Sequence, residues 1–394
     1  MAFGTDVQEQ SKVSFWNDPK VRSYAVQAIL LAVLVFFGYE IVHNTLANLA
    51  SRNIASGLGF LTKTSGFDLI QTLVPYNSSS NYGRALYVGF LNTVLVSVLS
   101  IIAATILGFI VGIMRLSKNW LVAKVATVYI EIFRNVPLLL WIFVWYSAVL
   151  TPLPGPKQAI NVGDAFFLSN RGLMMPHPIF GEGAGLFGWS IPVAIIAAWL
   201  LARWARARKL ATGAEFPSFW AGLGLIIGLP LLALAVMGFP VTFEYPVLKG
   251  FNFQGGLAVI PELIALFLAL SIYTATYLAE AVRAGIMAVS HGQTEAASAL
   301  GLRPGKTLQL VVIPQAMRVI IPPFANTYLS LTKNSSLAVA IGYPDLVAAG
   351  GTVLNQTGQA IEIVGIWMIV YLSLSLVTSF MMNMFNNRMK LVER

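Results

Sequence analysis

Cysteine is absent from this 394-residue chain, and charge is scarce: Asp, Glu, Lys and Arg make up 10% of it. A soluble protein carries about 25%. The missing thiols exclude disulfide bridges and thiolate metal sites. The missing charge excludes most soluble architectures, because 57% of the residues are hydrophobic and the mean hydropathy is +0.74. Three histidines, His43, His177 and His291, lie too far apart in sequence to suggest a metal centre. A nucleotide-binding P-loop is missing as well. Gly301-Leu302-Arg303-Pro304-Gly305-Lys306-Thr307 looks like one, but three residues separate its glycines where the motif has four, and no strand pattern precedes it.

What is present is a series of apolar runs. A helix needs about 20 apolar residues to cross a bilayer, and eight segments approach that length: Tyr24–Val42, Leu86–Met114, Val125–Leu150, Trp189–Arg203, Phe219–Gly238, Pro261–Ala288, Phe324–Tyr343 and Ile363–Phe385. The fourth is short, and Lys333-Asn334-Ser335-Ser336 interrupts the seventh. The formal charge of +9 does not point to nucleic acid, because the basic residues flank the apolar segments as in membrane insertion. Lys20, Arg22, Arg115, Lys118, Lys124, Arg203, Arg206, Arg208, Lys209, Arg303, Lys306, Arg388, Lys390 and Arg394 fall on one side if eight spans alternate. The opposite loops carry fewer: Arg52, Lys63, Arg84, Lys157, Arg171 and Lys249. The expected fold is an all-α, polytopic transmembrane bundle of about eight spans with both termini cytoplasmic.

Roughly twenty mostly polar residues precede the first span without a small-residue cleavage site after it, so that segment reads as retained. Two outer loops, Asn44–Tyr82 and Thr151–Gly188, are long and rich in turn formers; they read as solvated linkers or as a landing surface for an external protein. Gly108-x3-Gly112 and Gly224-x3-Gly228 read as faces for close helix packing. No internal repeat is evident, which weakens the case for an inverted-repeat carrier.

One polar, small-residue stretch between the sixth and seventh spans has legible punctuation. Ser290 with Gln293 three residues on is a capping-box start. Gly301 sits where a left-handed residue would end the helix, with apolar Leu302 after it. Pro304 fits the first turn of the next helix, where a missing N–H costs nothing. The product is a short Ala-rich helix, a sharp turn and a second helix running into Pro314. Small side chains let another surface approach closely.

The order Glu295, Ala296, Ala297, Gly301, Val311, Ile313, Pro314 resembles the EAA loop of ABC importer permeases. Three further segments resemble the polar amino acid subfamily: Glu131-Ile132-Phe133-Arg134-Asn135-Val136-Pro137-Leu138-Leu139, Ala279-Glu280-Ala281-Val282-Arg283-Ala284-Gly285, and Lys333-Asn334-Ser335-Ser336-Leu337. The resemblance covers the second, third, sixth, seventh and eighth spans and implies a type I importer core of five helices. An extra stretch, roughly Thr151–Gly256, adds two spans, as in the larger permease subunits of general L-amino-acid or glutamate/glutamine/aspartate/asparagine importers. The division this implies is residues 1–83 as N-terminus, first span and outer loop, 84–150 as the first part of the core, 151–256 as the insert, and 257–394 as the second part with the coupling loop 289–314.

The resemblance also implies partners. These are a dimeric cytoplasmic ATPase that binds ATP and Mg in place of any cofactor here, a second and different permease subunit, and a periplasmic amino-acid-binding protein at the bacterial inner membrane. An amino acid carries both signs of charge, so its path through lipid needs shielded partners. Glu131 and Glu280 could hold the ammonium, Arg134 and Lys333 the carboxylate, and Asn92, Thr93 and Asn334 could supply neutral hydrogen bonds. Alternatively Glu280 with Arg283, and Glu131 with Arg134, neutralise each other at i, i+3. Lys333 could contact helix-end carbonyls, and Glu262 could simply favour a helix N-terminus. A secondary carrier or channel, or a scaffold half without its own substrate site, are the competing functions.

Overall fold

The structure, a computed structural model, describes residues 19–51, 56–181, 184–238 and 241–389. The expectations for the first eighteen residues and for Arg52, Lys390 and Arg394 fall outside these. Among the described residues seven helices are long and apolar enough to cross a membrane, or eight if one bent pair counts as a single span. The helices are α1 (Pro19–Ser51), α2 (Tyr82–Arg115), α3 (Trp120–Arg134), α4 (Leu138–Phe143), α5 (Ala184–Thr212), α6 (Ser218–Val236), α7 (Pro261–Met287), α8 (His291–Ala299), α9 (Pro304–Thr307), α10 (Ile313–Asn334), α11 (Leu346–Thr357) and α12 (Ala360–Met389).

The chain groups into two packed units. One contains residues 1–91 and 346–374, the other residues 92–345 and 375–394. In the first unit the outer loop is tied to a late part of the chain. Phe60, Tyr82, Leu86, Leu346, Val353 and Ile363 form one buried cluster. At its edge the Gly57 N–H donates to Glu362 Oε1 at 2.6 Å, and Gln359 Nε2 donates to the Gly57 carbonyl at 3.0 Å. The loop itself is folded: Thr64 bridges Asn81, and the half-buried Tyr76 hydroxyl donates to the Phe67 carbonyl at 2.8 Å and lies 2.9 Å from Ser65 Oγ. It is no solvated linker. The apolar window of α1 is wholly exposed, which suits a lipid-facing helix.

The second unit is built on α7. Thirteen of its 27 residues are buried, because it is lined by α3, α4 and α10. Small residues set the spacing. A Cβ on Gly108 would come within 2.6 Å of Leu278 Cβ, one on Gly112 within 2.8 Å of the Ala279 carbonyl, and one on Gly285 within 2.4 Å of Ile320 Cγ1. A Cβ on Gly224 or Gly228 of α6 would meet nothing within 4 Å, so no neighbour within this chain packs closely on the second small-residue pair. There the expectation of tight packing fails.

Two spans depart from single helices. The third breaks between α3 and α4 with a bend of 101°. Asn119 starts α3 by accepting from the N–H of Leu121 at 2.9 Å, and Pro137 pushes Val136 out of the helical region and opens α4. The seventh begins well before Phe324. Pro314 does not end a helix, because a π-helical turn over Leu308–Val312 precedes it and carries the helix past the missing N–H into α10.

The fold is a mostly helical bundle, as expected, and among the described residues eight short strands accompany it. β1 (Ile160–Val162), β2 (Phe166–Ser169), β3 (Gly172–Met175) and β8 (Leu257–Val259) form an antiparallel sheet in that order; β4 (His177–Phe180) pairs with β5 (Val241–Glu244), and β6 (Val247–Lys249) with β7 (Asn252–Gln254). Residue 261 opens α7 directly after β8, and the Ala-rich turn follows its last residue. A 27-residue helix is about 40 Å long, so the strands and that turn lie at opposite ends of it.

Candidate coupling turn and translocation path

The turn between α7 and α10 ends α8 by backbone geometry alone. Gly301 has φ +76°, the left-handed conformation that costs glycine nothing. The Leu302 N–H reaches the Ala297 carbonyl at 3.1 Å and the Gly301 N–H the Ser298 carbonyl at 2.9 Å, the paired bonds of a Schellman ending. The N-terminal end differs from expectation. Ser290 takes the N-cap position, but its hydroxyl makes no capping bond, and Gln293 Oε1 instead accepts from Gln315 Nε2 of α10 at 3.3 Å. The tie to α10 replaces the capping box. Ala297 is the buried residue of α8, whereas Glu295, Ala296 and Leu300 are exposed. Glu295 Oε1 lies 3.0 Å from His291 Nδ1. Pro314 occupies the first turn of α10.

The motif around Glu131 forms the bent knuckle between α3 and α4. The Tyr129 hydroxyl donates to the Ile272 carbonyl of α7 at 2.6 Å, and Phe133 packs on Trp141 across the bend, centroids 4.3 Å apart. Glu131 and Arg134 do not pair. Asn135 Nδ2 donates to Glu131 Oε2 at 3.1 Å, and the Arg134 guanidinium stands 5.2 Å from the Tyr277 ring centroid. The bend at Asn135–Pro137 turns Arg134 toward α7, which accounts for the change of partner.

Glu280 is committed elsewhere. Arg283 donates to Glu280 Oε2 from Nε and Nη2, both at 3.2 Å, and Arg115, the last residue of α2, pairs with Glu280 Oε1. One half-buried carboxylate therefore joins two arginines from two helices. That pairing supports the mutual-neutralisation alternative for Glu280.

A polar cavity of 300 Å³ lies between α7 and α10, lined by Tyr273, Thr274, Tyr277, Asn326, Thr327, Ser330, Leu331 and Asn334. Tyr273 and Tyr277 share a hydrogen bond at 2.8 Å. Of the seven candidate substrate residues only Asn334 lines this space, with Arg134 next to it on the Tyr277 ring. Asn92 and Thr93 are fully buried; the Asn92 amide donates to the Pro344 carbonyl at 2.9 Å and its carbonyl accepts from the Tyr343 hydroxyl at 3.2 Å. Asn92 ties α2 to the Tyr343–Pro344 segment, and neither residue lines the cavity. Lys333 is exposed at the end of α10, where the hydroxyls of Ser335 and Ser336 fold back onto the Thr332 and Lys333 carbonyls, both at 2.7 Å. Such back-bonding bends the helix into the 3₁₀ turn that follows.

Sequence reasoning missed Tyr273, Asn326, Thr327 and Ser330. Their spacing was a usable signal, since 273 and 277 are one turn apart and so are 326 and 330. It also took Glu262 for a helix-terminus charge only, whereas the Tyr146 hydroxyl donates to it at 3.0 Å.

Residues 104–391 match the model of the family described as "binding-protein-dependent transport system inner membrane component". The chain belongs to that family. Three relatives align with this permease over nearly its whole length. The general L-amino acid transport system permease protein AapQ of Rhizobium johnstonii is 55% identical, covering 96% of this chain and 94% of its own. The putative amino-acid ABC transporter permease protein YhdX of Escherichia coli is 50% identical, with 98% of each chain covered. The glutamate/glutamine/aspartate/asparagine transport system permease protein BztB of Rhodobacter capsulatus is 42% identical, with 96% of each covered. The permease is therefore a membrane-spanning transport component of this family.

Proposed function

We propose that this permease carries polar L-amino acids across the bacterial inner membrane as one subunit of an ATP-driven importer. A periplasmic binding protein delivers the substrate, a second and different permease subunit completes the path, and a dimeric cytoplasmic ATPase that binds ATP and Mg supplies the energy. The observation that carries the reading is the turn at Gly301: a short helix exposing small side chains, locked by a left-handed glycine, at the end of the most buried helix. An exposed surface of that kind fits a groove, and a push on it reaches α7 and α10 through rigid helical connections.

The amino acid class is supported by the names of the three relatives, each an amino acid transport permease, and by the cavity at Asn334. Its hydroxyls and amides can hydrogen-bond an amino acid, and Arg134 lies beside it for the carboxylate. The distribution of basic residues supports a cytoplasmic position for both termini and the coupling turn. The test is reconstitution of this chain with its ATPase, second permease and binding protein in vesicles, followed by uptake of a radiolabelled amino acid mixture. Uptake that requires ATP and the binding protein is expected. Uptake by this chain alone, driven by an ion gradient, would establish a secondary carrier instead.

A further inference from the structure

The hairpin of α5 and α6 contains a basic corner that the transport reading does not use. α5 has 29 residues, about 43 Å of helix, against a hydrocarbon thickness of about 30 Å. The excess must project from the hydrocarbon, and the four basic residues from Arg203 to Lys209 favour the last turns as the part in the headgroup layer. There Arg203 stacks over Trp199 and Arg208 over Trp204, guanidinium carbons 5.7 and 5.4 Å from the ring centroids. Gly213 ends the helix with φ +70°, and Phe216 returns against Trp204 edge to face at 5.4 Å. The turn encloses a cavity of 240 Å³ lined by Arg206, Lys209 and Glu215 together with Ala205, Phe216 and Ser218. Lys209 Nζ bonds Glu215 Oε1 at 2.7 Å. Arg206, on the same cavity wall, makes no ion pair among the described residues. From Arg203 to Ser218 the chain has four basic residues against one acid, a net of +3.

Directly below this corner both helices are apolar and outward-facing: only 6% of each membrane window is buried, and Ile196, Leu200 and Leu223 are exposed. A ligand seated here meets cations at one end and an acyl environment along the other. Aromatic rings stand at the boundary, as they do at membrane interfaces. The Glu215 carboxyl, held below its usual range first by the Lys209 hydrogen bond, also feels Lys306, so the corner lies on the same side as the coupling turn.

We infer that the corner at Arg203–Ser218 seats the headgroup of an anionic phospholipid, with Arg206 and Lys209 meeting its phosphate and the α5–α6 faces holding its chains. The Lys209–Glu215 pair sets the floor of the seat, and the two Trp-stacked arginines hold positive charge at its rim. A zwitterionic lipid presents no net charge to match the +3 field.

The test uses the assembled transporter, purified in mild detergent and titrated with tetraoleoyl cardiolipin, phosphatidylglycerol or phosphatidylcholine under native mass spectrometry. Anionic lipids should bind this subunit more tightly than phosphatidylcholine. Each charge lost should weaken them about fivefold, from the usual effect of a basic residue near an anionic leaflet. Arg206→Ala and Lys209→Ala should show that loss, Arg206→Lys should retain binding, and Arg171→Ala on the opposite face should bind as the unaltered chain does. Equal retention of all three lipids, or losses no larger in Arg206→Ala than in Arg171→Ala, would overturn the assignment. Displacement of the lipid by millimolar inorganic phosphate would also overturn it, because it would mark an anion pocket without a role for the chains.

Discussion

Gly301 offers a graded test of the coupling turn. Its φ of +76° lies in the left-handed region, and a Cβ built on it would have nothing within 4 Å. Space is therefore not the constraint, and any effect of substitution is conformational. A non-glycine residue in that conformation costs about 1–2 kcal/mol; asparagine tolerates it better, and a β-branched side chain tolerates it least. Because α8 buries only Ala297, the penalty should be expressed locally as loss of the helix ending, not as global unfolding. A cost of 1–2 kcal/mol is a factor of about 5–30 in the population of the ordered turn. The expected order is Gly301 ≈ Gly301→Asn > Gly301→Ala > Gly301→Val in affinity for the ATPase. Hydrogen exchange supplies the control, since the N–H groups of residues 301 and 302 close the Schellman bonds and should lose protection in the same order. Equal ATPase affinity and equal protection in the Asn and Val variants would refute the reasoning.

The two small-residue faces should part company. Gly112→Ala forces a Cβ within 2.8 Å of a backbone carbonyl and should cost about 1–3 kcal/mol by overpacking, whereas Gly224→Ala should leave the melting temperature unchanged or raise it, helix interiors favouring Ala over Gly by up to about 1 kcal/mol; intrinsic tryptophan fluorescence in detergent would rank them. Tyr76→Phe removes the hydroxyl contacts to Phe67 and Ser65 and should cost about 1–2 kcal/mol, read as faster proteolysis of the outer loop. Burial raises the Tyr76 pKa above 10.0, so the stabilisation it provides is complete below that pH and is lost as pH rises through the folded value; proteolysis that accelerates between pH 7 and 9 would contradict this. Asn334→Ala should weaken substrate dependence of uptake without changing assembly, measured by size-exclusion chromatography of the complex.

The positions of most spans were legible because bilayer length and hydropathy fix them. So was the end of α8: Gly followed by an apolar residue announces a left-handed ending, and the structure has one. The legible part stops where tertiary contacts compete with local signals. Ser290–Gln293 is a sound capping pattern, yet Gln293 is drawn to Gln315 by a helix 22 residues on. Pro314 looks like a terminator until a π-helical turn absorbs it. Val125–Leu150 reads as one apolar run although Asn135 and Pro137 break it, because hydropathy carries no backbone angle. The strands of the second outer loop are not legible, since strands of three or four residues give too short an alternation to notice. At the site, charge drew attention to Glu131, Glu280 and Lys333, while the cavity is walled by hydroxyls and amides that only helix packing brings together.

Glu280 shows how the geometry decides between roles that sequence leaves open. A carboxylate in a membrane chain can serve a substrate ammonium or its own neighbours. Here it bonds Arg283 one turn on and Arg115 at the end of α2, so removing its charge leaves two guanidiniums facing each other at 21% and 31% side-chain exposure. Partial solvent access reduces the penalty below that of a fully buried pair, and about 1–3 kcal/mol is a fair range for Glu280→Gln. That loss belongs to stability: melting temperature and abundance should fall, while the substrate concentration at half-maximal uptake stays put. Arg115→Gln in the same background should recover part of the loss, because it removes the repulsion that the first change creates. A substrate role has the opposite signature, with affinity weakened at least tenfold, melting unchanged and no rescue by Arg115→Gln. Only that second pattern would return the ammonium to Glu280; the first leaves the substrate to the neutral wall around Asn334 and to Arg134 beside it.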